Sequence, residues 1–150
     1  MLTQPDEAIM LKKHIQLNVD ITPVFETVQT AIEHEHERHL DNGELIVPGY
    51  TLSATSVACA VCERLLRDLN NKKVPAEQLR RCAEQFDAEN YSRGVHFYLH
   101  DETAQTIMNI VTRIMGVAPD LQSIIYFRGD FNSKSIVSIA VYYAHEIIIS

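Results

Sequence analysis

The residues best suited to chemistry lie in one short run at positions 33–39, EHEHERH, in which imidazole and carboxylate groups alternate. On a helix, residues three or four positions apart share a face, so Glu33, His36 and His39 would be neighbours. Imidazole and carboxylate are ligand types that suit zinc, iron and nickel. The spacing therefore predicts a transition-metal site at Glu33, His36 and His39.

The same run also fits the end of a surface helix with solvated charges. Di-iron helix bundles use two Glu-x-x-His pairs, and Glu33-x-x-His36 is the only such pair in the chain. The zinc-protease pattern His-Glu-x-x-His is absent, because position 38 is Arg and position 40 is Leu. A metal-dependent enzyme would add His96 or His100 as a further ligand, because spacing along one helix fixes only two ligands and metal sites usually take three or four. No cofactor other than such a metal is predicted.

Neither the cysteines nor the glycines form a recognisable catalytic motif. Cys59 and Cys62 have the spacing of redox and zinc motifs, but they fall inside a predicted helix rather than at its start, where the thiol pKa is lowered. Cys62 and Cys82 lie on apolar stripes and are predicted to be core residues. The chain lacks a phosphate-binding glycine loop, a Gly-x-Ser-x-Gly turn and a dinucleotide fingerprint, so no nucleotide site is predicted.

The charge is acidic and concentrated in the first third of the chain. The net charge is −7, and residues 1–50 hold nine Asp and Glu against three Lys and Arg. Nucleic-acid affinity comes mainly from Lys and Arg, so a nucleic-acid partner is not expected. No apolar run reaches the ~20 residues of a membrane helix, and no signal peptide is visible. We therefore expect a cytoplasmic protein that does not bind membranes, although secretion without a cleavable signal is left open.

Hydrophobic periodicity predicts most of the elements. Strict alternation over residues 14–21 indicates a strand, and Thr22-Pro23 is typical of a helix start. Apolar stripes predict further helices after Ser53, after Pro75 and after Asp101. Two short strands are predicted at 44–47 and 95–100.

The last thirty residues have the most strand-like composition. β-Branched and aromatic residues flank a break at 129–134, which predicts a C-terminal β-hairpin at 122–149. Together these elements predict one α+β domain over residues 1–150, with a mixed or mostly antiparallel sheet and helices packed on one face.

The functional hypothesis depends on the absence of a catalytic constellation and on this long final strand. A strand of roughly fourteen residues exceeds the usual ~5–6, so part of its edge would be free to pair with another chain. We therefore predict a non-catalytic protein-binding module of the adaptor, regulator or inhibitor type. It would form a homodimer through the edge strand and bind a partner with a basic surface. The alternative is a metal-dependent enzyme that uses the cluster at 33–39 with His96 or His100.

Overall fold

The computed structural model describes residues 14–40, 52–87, 89–127, 130–131 and 133–149, although side chains 36–40, 127, 130, 131 and 149 are not described. The α-helices are α1 (Thr22–Leu40), α2 (Ala54–Asn70), α3 (Ala76–Glu84), α4 (Asp101–Val117), α5 (Gln122–Ile125) and α6 (Ser133–Ile149). The strands are β1 (His14–Gln16), β2 (His96–Tyr98), β3 (Tyr126–Phe127) and β4 (Asp130–Phe131). Single 3₁₀ turns cover Val19–Ile21 and Pro119–Leu121.

The starts of the predicted helices are confirmed to within a residue. Helix α1 begins at Thr22, as the Thr-Pro pair predicts. Helix α2 is capped by Ser53, whose hydroxyl accepts a hydrogen bond from the Ser56 N–H at 3.1 Å. The N-cap of α4 is His100 and not Asp101. Asp101 lies in the first turn, where its negative charge interacts favourably with the helix dipole.

The predicted C-terminal hairpin at 122–149 is wrong, because its second arm is the helix α6. The six consecutive residues from Ile136 to Val141 are each at most 1% exposed. Helix α6 contacts α1, α2, α3 and α4, so apolar side chains are needed on nearly its whole circumference. A helix without a polar face shows no 3.6-residue period, and here burial outweighs the strand preference of the β-branched residues.

The sheet structure is much smaller than predicted. Strands β1 and β2 pair antiparallel with Ile15 opposite Phe97, and β3 and β4 form a separate two-stranded hairpin. Among the described residues the fold is therefore mostly helical with small antiparallel sheets, which is α+β only in a coarse sense. The mixed sheet with helices on one face is not present in this part of the chain. The strand predicted at 44–47 lies outside the described residues.

The change from strand to helix also removes the basis of the predicted homodimer. That prediction required a long strand with a free edge within residues 135–149. The backbone N–H and C=O groups of a helix interior bond within the helix, so α6 offers no strand edge for pairing.

Residues 17–20 and the segment 89–95 are held together by backbone and side-chain hydrogen bonds. The Gly94 N–H donates to the Leu17 carbonyl at 2.8 Å, and a Cβ at position 94 would lie only 2.6 Å from the Asn18 carbonyl oxygen. The Val19 N–H donates to the Ser92 hydroxyl at 2.9 Å. Glycine is therefore required at position 94 by the close approach of two backbone segments.

Lys134, in the first turn of α6, anchors the same segment. Its ammonium group donates to the Asn90 carbonyl at 3.2 Å, and the Asn90 side-chain amide donates to an Asp20 carboxylate oxygen at 3.2 Å. Burial lowers the pKa of Lys134, and the nearby Asp20 charge opposes that shift. Through Asn90, these contacts link the start of α6 to the 3₁₀ turn that precedes α1.

No helix in the described part of the chain is long and apolar enough to cross a membrane.

Candidate interaction surface

Helix α1 has one buried face and one exposed face. Phe25 and Val28 are at most 2% exposed and point into the core. The exposed face lies on the other side and, together with Ile148 of α6, borders an open groove of about 640 Å³. The groove is lined by Pro23, Glu26, Thr27, Thr30, Ala31, His34 and Ile148. We call this surface the α1–α6 groove.

Ile148 supplies the large apolar side chain in the α1–α6 groove. It lies in the last turn of α6, where the helix emerges from the core, and it is 40% exposed. Few large hydrophobic side chains in the described part of the chain are as exposed; Val117, at 39%, is one of comparable exposure. An isolated exposed side chain is ordinary on a protein surface. At the wall of a groove, however, it can anchor an apolar side chain of a partner.

The described side chains of α1 carry negative charge only. They include the carboxylates of Glu26, Glu33 and Glu35 and no Lys or Arg, and Glu26 borders the groove. Glu26 therefore places at the groove a carboxylate that can attract a basic group.

The predicted metal ligands are placed only in part. Glu33 lies on α1, where one of its carboxylate oxygens accepts a hydrogen bond from the Leu52 N–H at 2.7 Å. The Gln29 amide donates to the Leu52 carbonyl at 2.7 Å, so this stretch of α1 fixes the residues that lead into α2. His36 and His39 belong to the same helix, but their side chains lie outside the described residues. The site at Glu33, His36 and His39 stays a prediction.

The histidines proposed as additional ligands are both exposed. His96 lies on β2, and His100 immediately precedes α4. The described residues contain no group of three or more His, Cys, Asp or Glu side chains arranged to hold a metal ion. His96 instead pairs with His14 on the adjacent strand, with 5.6 Å between the ring centroids.

A buried carboxylate joins α2 to α6. Asp68 is 5% exposed, and its Oδ2 accepts hydrogen bonds from the Tyr143 hydroxyl at 2.5 Å and from Arg64 Nε at 2.9 Å. Burial alone would raise the pKa of Asp68, but the hydrogen bonds from Tyr143 and Arg64 outweigh it, so the pKa is lowered. Burial, with the bond to Asp68, raises the pKa of Tyr143. Because the Tyr143–Asp68 hydrogen bond links α6 to α2, we interpret this contact as structural.

The cysteines are protected rather than activated. Cys62 and Cys82 are buried, which confirms their prediction as core residues, and Cys59 is half-buried. Burial raises the pKa of Cys59 and Cys62, and it raises the pKa of Cys82 to about 12. A raised pKa leaves little thiolate at neutral pH, so none of these thiols is a good nucleophile.

The chain matches no protein-family model, and no curated protein or solved structure is significantly similar to it.

The sequence contained only part of the signal for this surface. His34 belongs to the polar run at 33–39, and it is exposed in the groove. The hairpin predicted at 122–149 places Ile148 on a strand and therefore does not bring it close to α1. Ile148 reaches the groove because α6 is a helix that packs against α1.

Proposed function

We propose that the protein is a non-catalytic binding module that holds a basic segment of a partner protein in the α1–α6 groove. The observation that carries this proposal is an open groove with one carboxylate, that of Glu26, and one exposed apolar side chain, that of Ile148, in its lining. A binding surface needs no activated nucleophile, and the pKa of each of the three cysteines is raised. The buried Asp68 and Tyr143 bind each other between α2 and α6.

The shape of the groove favours a protein segment over a small molecule. Small-molecule sites are usually concave enough to bury 70–90% or more of a drug-sized ligand. Here every lining residue except Ala31 is exposed, so a small ligand would remain largely in water. A helix or extended segment of a partner can instead cover the groove and gain area beyond its rim.

The charge of α1 favours a basic partner. Glu26, which borders the groove, would attract Lys or Arg and increase the rate of encounter, while Ile148 would contribute burial of apolar area. A partner segment with one apolar side chain flanked by basic residues fits both features. The alternative, a metal-dependent enzyme that uses the cluster at 33–39 with His96 or His100, stays a prediction, because the side chains of His36 and His39 lie outside the described residues.

The proposal is tested by affinity capture from cells that produce the protein, with two pairs of matched variants. Ile148→Ser and Glu26→Lys alter the α1–α6 groove. Val117→Ser and Glu84→Lys are their controls, because Val117 is similarly exposed and Glu84 is an exposed glutamate on α3. We expect a protein that is captured by the wild type and by both controls but lost with both groove variants.

The captured protein should also contact the groove through a segment rich in Lys and Arg, mapped by cross-linking and mass spectrometry. The proposal is contradicted if no captured protein depends on Ile148 and Glu26, or if the mapped segment is acidic.

A further inference from the structure

We infer that His14 and His96 form a two-histidine site for a divalent transition-metal ion on the exposed face of the β1–β2 sheet. This site uses no residue of the cluster predicted at 33–39. Metal binding at this site would need no partner protein, so its test is independent of the proposal that the α1–α6 groove binds a protein.

The pairing of β1 with β2 places the two imidazoles on one face. His14 is opposite Tyr98 and Gln16 is opposite His96, and directly opposed residues in an antiparallel pair point to the same side. His14 and His96 are therefore diagonal neighbours on the side away from the buried pair Ile15 and Phe97.

The separation of the rings is close to that of two histidines bound to one metal ion. The ring centroids are 5.6 Å apart, with an angle of 61° between the ring planes. With Zn–N bonds of about 2.1 Å and a tetrahedral angle at the metal, the centroids of two coordinated imidazoles lie about 5 Å apart. A small rotation of two exposed side chains covers the difference and leaves the core unchanged.

Both imidazoles are available for coordination. His14 and His96 are exposed, and the structure shows no hydrogen bond from either ring to a described residue. The His14 ring also packs against the Tyr98 ring, with 4.7 Å between the centroids, which restricts its orientation. Neutral imidazole is the commonest protein ligand for zinc, copper and nickel.

The remaining coordination positions would be filled by water. No third His, Cys, Asp or Glu among the described residues completes the site. A site with two protein ligands is weaker than a structural zinc site with four. Its affinity should follow the usual order for nitrogen ligands, with Cu²⁺ bound more tightly than Ni²⁺ or Zn²⁺.

The test is calorimetric titration of the full-length chain with Cu²⁺ and, separately, Zn²⁺ in a buffer that does not chelate metals. Wild type is compared with His14→Gln, His96→Gln and the double variant. His145→Gln and His145→Ala are controls, because His145 lies on α6 and belongs to no imidazole pair among the described residues. The series is repeated with His36→Gln and His39→Gln as background, so that the predicted cluster on α1 cannot bind the metal.

Chelation makes a specific prediction, since the two histidines would act as one unit. Loss of a direct ligand should lower affinity at least about tenfold, as loss of even an outer-shell contact often does. Each single substitution should have this effect, and the double variant should be no weaker than either single variant. The controls should bind as the wild type does.

Two results would overturn the inference. One is that the double variant retains the wild-type affinity, and the other is that each histidine contributes a small and additive loss equal to that of the controls. Far-UV circular dichroism of each variant verifies that the fold is retained.

Discussion

Because the Tyr143 hydroxyl donates a hydrogen bond to buried Asp68, we expect removal of that hydroxyl to lower the stability of the fold substantially. Tyr143→Phe leaves the ring in the core and removes only the hydroxyl that donates to Asp68 at 2.5 Å. A hydrogen bond to a charged group contributes roughly 1.5–3 kcal/mol. Arg64 Nε still donates to the same carboxylate oxygen at 2.9 Å, so the charge is not left without a partner. We therefore expect the free energy of unfolding to fall by about 2 kcal/mol.

The loss should depend on pH with a defined sign. The folded-state pKa of Asp68 is lowered, so its contribution to stability is present above the unfolded value of about 3.9 and is lost as the pH falls through the folded pKa. Tyr143→Phe removes part of that contribution. The difference between wild type and variant should thus be full at pH 7 and shrink below about pH 4.

The assay is urea unfolding, followed by circular dichroism, at pH 7 and below about pH 4. The dependence of the unfolding free energy on urea concentration is compared between variants. Tyr142→Phe is the matched control, because Tyr142 is the adjacent residue on α6 and its hydroxyl makes no hydrogen bond to a described residue. The reasoning is refuted if Tyr143→Phe costs less than about 0.5 kcal/mol, or no more than the control, at pH 7.

Two further predictions follow from close packing and from burial. Gly94→Ala should lower the free energy of unfolding by about 1–3 kcal/mol in the same urea assay, because the added methyl group would clash with the Asn18 carbonyl. Gly116→Ala, whose new methyl group would meet no atom within 4 Å, should instead stabilise α4 by up to about 1 kcal/mol; equal effects of the two substitutions would contradict the packing argument. In the native protein at neutral pH, a disulfide reagent such as dithiobis(nitrobenzoate) should modify Cys59 slowly and the two buried thiols not at all, whereas all three should react in urea. Rapid native reaction of more than one thiol would show that the core around α2 is more open than described.

Amphipathic elements could be predicted from the sequence, whereas the central helix could not. Helices α2 and α4 have apolar stripes opposite polar faces, so their 3.6-residue period is visible. Helix α6 is surrounded by other helices, so its sequence contains Ile, Val, Ala and Tyr in nearly every direction. Its length was the available signal, because a run of that extent is unusual for a strand and ordinary for a helix.

The candidate sites show a similar limit. The outward positions of His14 and His96 were visible from alternation, but their pairing depends on which strands are neighbours, and β1 and β2 are far apart in the sequence. The α1–α6 groove likewise depends on contact between the first and last long helices. Local patterns predict the face on which a residue lies, whereas contacts between distant segments are decided by packing of the whole core.

The most direct test of the central claim is photo-cross-linking from within the α1–α6 groove. A benzophenone amino acid replaces Ile148 in one protein and Val117 in another, and both are irradiated in cells that produce the chain. We expect the benzophenone at position 148, and not the one at position 117, to cross-link to a partner protein, within a segment of that partner rich in Lys and Arg. Equal cross-linking from both positions, or none from position 148, would contradict the claim that this groove binds a protein partner.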